Sequence, residues 1–117
     1  MKTIIAGSRS ITDPKVVERA ILESKFNITE VVSGGALGVD RIGEDWAWAN
    51  RLPVKVFPAK WEQHGKAAGH LRNAEMADYA EALIAVWDGR SRGTGNMIEE
   101  AAMRGLKVHI KRVEESA

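Results

Sequence analysis

The chain is 117 residues long, with 17 basic and 16 acidic side chains, three histidines and no cysteine. One domain fits that length, and the composition excludes disulfide scaffolds, cysteine-bound zinc, thiol nucleophiles and, with His64, His70 and His109 scattered, a histidine metal cage. No apolar run approaches the ~20 residues of a membrane span, and the opening MKTIIAGSRS has too few apolar residues for a signal peptide, so a cytoplasmic address, no membrane partner and no metal or cofactor are expected.

Residues 2–6 (KTIIA) read as a buried strand. Residues 13–24 read as a helix, capped by Asp13, opened by Pro14 and packed through Val17, Ala20, Ile21 and Ser24. A second strand over 30–32 runs into SGGALG, and a second helix over 39–50 turns Val39, Ile42, Gly43 and Trp46 inward. A third strand covers 54–57, a long loop 58–66, and a third helix about 67–80, with Leu71, Ala74 and Asp78 on its packed face. The fourth strand is 82–87 (ALIAVW), and the fourth helix is 95–104 with Ile98, Ala101, Ala102 and Gly105 inward. The fifth strand is 107–110.

Strand–helix alternation predicts an α/β fold: one three-layer Rossmann-like domain over 1–117, with a parallel five-stranded sheet of order 3-2-1-4-5 and helices on both faces. In such sheets, ligands sit beyond the carboxyl ends of the strands where the winding reverses, here between the first and fourth strands.

The loops at that edge carry the chemistry. Gly7-Ser8-Arg9 follows the first strand and combines close backbone approach, a hydroxyl and a bidentate anion donor; the plain alternative is a turn with an exposed arginine. Ser33-Gly34-Gly35-Ala36-Leu37-Gly38-Val39-Asp40 places three glycines between a strand and a helix, an anion cradle with the spacing of neither GxGxxG nor a Walker loop. Asp40 either caps its helix or accepts from a ribose hydroxyl. Trp61 in the long loop either stacks on a base or closes the core edge, and Lys66 adds charge there. Arg72 and Asn73 fall beside the packed face of the third helix, and a cation in a first helical turn opposes the helix dipole, which hints at an anion partner. Asp88-Gly89-Arg90-Ser91-Arg92-Gly93-Thr94-Gly95 forms a second glycine-rich helix start, where Thr94 either caps or binds phosphate. Two cradles facing one crevice fit a phosphorylated ligand. The net charge of +1 argues against general nucleic-acid binding, yet Arg51, Lys55, Lys60, Lys66 and Arg72 stand against Glu62 alone, a balance suited to a small anion.

The ordered series GSR, SGGALGVD, GKAAGHLRNAEM and WDGRSRGTGNMI resembles the YspA-like branch of the SLOG superfamily over about residues 1–110. That resemblance implies a Rossmann-like fold that senses or processes nucleotides, homodimerisation (with Trp48 as a candidate contact), and kinship with Lonely Guy phosphoribohydrolases and the Rossmann domain of DprA. His70, Arg72, Glu75 and Met76 match the hydrolase pattern M-H-E-R-K-A-E-M, which implies a catalytic Arg72, and Gly93-Thr94 matches its G-T. The glutamate that follows three residues later in the hydrolases is Met97 here, and Glu99 is the nearest stand-in. N-glycosidic hydrolysis needs a carboxylate to stabilise an oxocarbenium-like centre and activate water, and methionine does neither. The leading expectation is therefore nucleotide binding or sensing. Phosphoribohydrolase-type cleavage of a nucleoside monophosphate is the alternative, and single-stranded DNA binding, implied by the DprA resemblance of GSR and SGGALGVD, is the second.

Overall fold

The first strand, β1 (Lys2–Gly7), is central because its residues have neighbours on both edges: Thr3 and Ile4 pair with Val31 and Val32 of β2 (Glu30–Ser33), and Thr3 to Gly7 pair with Ala82 to Val86 of β4 (Ala82–Trp87). The computed structural model, which describes residues 1–114, adds β3 (Val54–Val56) outside β2 and β5 (Lys107–Arg112) outside β4. All pairings are parallel, and the order is β3-β2-β1-β4-β5, as expected from the alternation.

Successive strand residues point to opposite faces, which divides the core in two. Ile4, Val32, Leu83 and Ala85 pack with Met76, Ala77, Met97 and Ala101 on one side. Ile5, Val31, Ile84 and Val86 pack with Val17, Ala20, Ile21, Val39 and Ala47 on the other. The second face is covered by α1 (Pro14–Ser24) and α2 (Val39–Ala49), the first by α4 (Ala68–Tyr79) and α5 (Arg92–Met103). Asp13 caps α1 by accepting from the Lys15 N–H at 3.0 Å. Gly43 brings α2 close to β1, since a Cβ there would lie 2.8 Å from Ile5 Cγ2.

Four expectations need correction. The 58–66 stretch is not all loop: it holds a short helix, α3 (Trp61–His64), and a 3₁₀ turn, Gly65–Ala67. In α4 the packed residues are Ala68, Asn73, Met76 and Ala77, whereas Leu71 is exposed. Arg72 therefore sits in the second turn, and the dipole argument lapses. Helix α5 begins at Arg92, three residues before the expected start, so Thr94, Met97 and Ala101 face inward and Ala102 outward. Glu100, which the expected inward Ile98 would leave solvated on the opposite side of the helix, pairs with Arg104 instead. Among the described residues, no helix is long and apolar enough to cross a membrane.

Candidate functional site

The carboxyl end of β1 runs close against its neighbours. A Cβ on Gly7 would lie 2.1 Å from the Val86 carbonyl oxygen and 2.7 Å from Val39 Cγ2, so only glycine fits. Ser8 follows, buried, with its N–H donating to Val86 O at 3.1 Å. Its Oγ accepts from the Asp88 N–H at 3.2 Å and from Ser91 Oγ at 2.9 Å. Asp88 in turn accepts from the N–H groups of Ser91 and Arg90, both at 2.8 Å. The Ser91 and Arg90 amides hold its carboxyl below the usual range. Asp88 is thus the clasp of the β4–α5 turn.

The β2–α2 turn is wired internally as well. Ser33 Oγ donates to Glu44 Oε2 at 2.6 Å and accepts from the Gly35 N–H at 3.1 Å. Asp40 caps nothing: Gly38 is the N-cap of α2, without a side-chain cap bond. Asp40 Oδ2 instead reaches back to accept from the Ala36 N–H at 3.2 Å. Gly34 lacks a side chain where a Cβ would meet Arg72 Nη1 at 2.6 Å and Asp40 Oδ2 at 2.9 Å. Arg72 fills that space, donating from Nη1 to Gly34 O at 2.7 Å and from Nε to Asn73 Oδ1 at 3.0 Å. Asn73, buried, passes the chain on to Gly93 O at 3.2 Å and Asn96 Oδ1 at 2.9 Å. One polar relay therefore joins the β2 turn, α4 and the start of α5.

Around this relay lie two cavities. The larger, about 440 Å³, is lined by Ala6, Gly7, Ser8, Arg9, Ser10, Ala36, Asp40, Arg72, Ser91, Gly93, Thr94 and Met97. The smaller, about 310 Å³, is lined by Arg9, Gly34, Gly35, Ala36, Val56, Pro58, Ala59, Trp61 and Arg72. Both fall in the size range of small-molecule pockets, ~300–1,000 Å³. Arg9 and Arg72 line both.

The expected residues divide accordingly. Gly7, Ser8, Arg9, Gly34, Gly35, Asp40, Trp61, Arg72, Gly93 and Thr94 reach a cavity. Ser33, Asn73 and Asp88 line neither of these two; each has its polar atoms engaged in holding a turn or helix in place. Lys66 is exposed in the 3₁₀ turn. Gly95 faces Trp87, whose ring carbon would lie 3.4 Å from a Cβ. Glu99 is exposed outside both cavities because the earlier start of α5 turns Met97, buried at 1%, inward. Thr94 lies inside α5 rather than at its cap. Of the other residues matching the hydrolase pattern, His70 and Glu75 are exposed and Met76 is core. Sequence reasoning did not pick out Ser10, which adjoins GSR, Ala36 and Ser91, which lie inside the two glycine-rich motifs, or Val56, Pro58 and Ala59, which carried no signal. Among the described residues, no group of three or more His, Asp or Glu is placed to hold a metal ion.

Burial raises the pKa of Asp40, and it lowers that of Arg72. An acid whose folded pKa stands above its unfolded value stabilises the fold at low pH and loses that contribution as pH rises through the folded pKa. Asp40→Asn should therefore gain stability relative to the parent as pH rises from about 4 through the raised pKa of the folded state. Thermal melts across that window check this; a Tm difference independent of pH would remove Asp40 as the titrating group. Asp88, with its lowered pKa, has the opposite sign: its contribution is present above the unfolded pKa and is lost on acidification.

The YAcAr family (YspA, cpYpsA-related SLOG) matches residues 1–64, more than half of the chain. The chain belongs to this family. Consistent with that membership, it is 38% identical to the Gene 61 protein of Mycobacterium phage D29, over 92% of this chain and 93% of that one. The SLOG chain also superposes on the X-ray structure of DNA processing protein A (DprA) from Streptococcus pneumoniae with a TM-score of 0.73, at 20% identity. That likeness covers 93% of this chain and 49% of DprA, so the SLOG chain spans about half of DprA's length and shares its Rossmann-like fold. The family match takes in Arg9, both sides of the β2 turn and Trp61; Arg72, Gly93 and Thr94 come to the site through the tertiary structure.

Proposed function

We propose that this SLOG-family domain binds a nucleotide or nucleotide-derived phosphorylated ligand at the carboxyl edge of β1 and β4. The observation that carries the reading is the pair Arg9 and Arg72, which lines two adjoining cavities at that edge. Arginine forks suit phosphate, and the buried relay pre-organises Arg72. The Ser8, Ser10 and Thr94 side chains offer hydroxyl partners in the larger cavity, and Trp61 offers a stacking surface in the smaller. Binding without turnover is favoured over N-glycosidic hydrolysis because Met97 lines the larger cavity and stands at the sequence position where the resemblance to the hydrolases implies a glutamate.

The test is a panel of nucleoside monophosphates, NAD, ADP-ribose and cyclic dinucleotides, followed by thermal shift and product formation together. A true ligand at a hundred times its Kd should add about 2.7 kcal/mol, or several degrees in a domain of this size. The expected result is a shift without product, unchanged in Glu99→Gln. Release of free base would overturn the non-catalytic reading; Asp40, the carboxylate lining the larger cavity, would then be the group to replace. No shift with any member would sink the nucleotide reading.

A further inference from the structure

We infer that the ligand is two-lobed: two nucleoside-like groups joined through phosphate, one lobe in each cavity and the phosphate bridge between Arg9 and Arg72. This rests on the binding reading above and specifies its substrate class. The two cavities are neighbours rather than alternatives, for Arg9, Ala36 and Arg72 line both. The strongest anion donors thus stand at the shared boundary, where the middle of a ligand would lie. Among the described residues, Arg72 engages Nη1 and Nε with protein acceptors, and a guanidinium has five N–H donors, so it retains capacity for a phosphate. Arg9 is exposed at the same boundary.

The outer ends differ in chemistry, and neither adds a cation to the two arginines of the boundary. In the smaller cavity the far side is Val56, Pro58 and Trp61, apolar and aromatic, which suits a flat base. Trp61 is 56% exposed, so its ring is not committed to the core; Gly69 lies beneath it, with a Cβ position 3.6 Å from the ring edge. In the larger cavity the side away from the boundary carries Ser8, Ser91 and Thr94 over Ala6 and Met97, hydroxyls and apolar surface that suit a sugar and a base, while the Asp40 carboxylate stands beside Arg72 at the boundary, bonded to the Ala36 N–H. An anion is therefore drawn to the boundary, where both lining arginines stand, and away from the apolar end. A mononucleotide fills one cavity and leaves the other empty.

The experiment is calorimetric titration with AMP, NAD and diadenosine diphosphate, using the parent chain and two variants. Gly93→Leu blocks the larger cavity alone: nothing lies within 4 Å of a Cβ there, so the side chain projects without a clash, and leucine is a better helix former than glycine. Trp61→Leu removes stacking from the smaller cavity alone. A dinucleotide should bind at least tenfold more tightly than AMP. Each variant should weaken that dinucleotide about tenfold or more, the low end of the range for base stacking in the case of Trp61, with Tm of the free proteins within a few degrees of the parent. AMP binding as tightly as both dinucleotides, or sensitivity to only one of the two variants, would overturn the two-lobed ligand while leaving nucleotide binding intact. Absence of binding by all three would overturn both.

Discussion

Arg72→Ala should weaken the phosphorylated ligand about a hundredfold, equivalent to about 2.7 kcal/mol. Charge-assisted hydrogen bonds of this kind are each worth roughly 1.5–3 kcal/mol, and Arg72 lines both cavities. The same change should lower stability by about 1–2 kcal/mol, because Gly34 O and Asn73 Oδ1 lose their donors and the buried Asp40 loses its cationic neighbour. Lysine at this position keeps the charge but not the planar fork that meets Gly34 O and Asn73 Oδ1 together, so Arg72→Lys should recover little of either loss. Arg9→Ala is the informative companion: Arg9 is exposed, and its loss should reduce affinity about tenfold with Tm unchanged. Calorimetric titration and thermal melts of the three variants separate the roles. Wild-type affinity in Arg72→Ala would remove this arginine from the site.

Gly7→Ala should produce the largest loss of stability of any single methyl addition in the site, about 3 kcal/mol or more, at or beyond the usual range for overpacking. The added Cβ would stand 2.1 Å from Val86 O. That oxygen belongs to β4 backbone held in the parallel ladder and accepts from the Ser8 N–H at 3.1 Å, so it has no freedom to retreat. On the other side Val39 Cγ2, at 2.7 Å, is packed in the core. For a domain with a total stability of about 5–15 kcal/mol, this predicts a Tm lower by ten degrees or more. Gly93→Ala is the control, since its Cβ meets open space and should leave Tm unchanged or slightly raised. Equal melting of the two alanine variants would contradict the close approach at Gly7.

The parts of this architecture that were legible in the sequence are those governed by local physics. The ALIAVW run is too short and too continuously apolar for anything but a buried strand, and β4 occupies Ala82–Trp87 as expected. Asp13 and Pro14 mark the start of α1 through capping and fixed φ. The β2–α2 glycine turn was legible because Gly35 and Gly38 both need φ near +75°, which side chains oppose. The early start of α5 was not legible. Gly93 and Gly95 are poor helix formers, and nothing local offsets them; Met97 is drawn inward by packing in the core instead, and Thr94, about one turn earlier, is buried with it. The shift places Met97 on the cavity wall and turns Glu99 to solvent. The packed face of α4 was misread for a similar reason. Asn73 is a polar residue that periodicity assigns to the surface, but it is buried because Gly93 O and Asn96 Oδ1 accept from it and Arg72 donates to it.

The succession of strands and helices, the parallel order of the sheet, and the edge at which a ligand would sit all follow from hydrophobic period, capping and glycine placement along the chain. Those signals are short-range, and each element carries its own. Which side chains meet at that edge depends on contacts between residues far apart in sequence. Gly34 and Arg72 are 38 positions apart, and their fit depends on β2 and α4 being held against the same sheet. The shared boundary of Arg9, Ala36 and Arg72, and with it the division into two cavities, arises from three separate segments. Helix phase and close packing, which no local pattern encodes, set that arrangement.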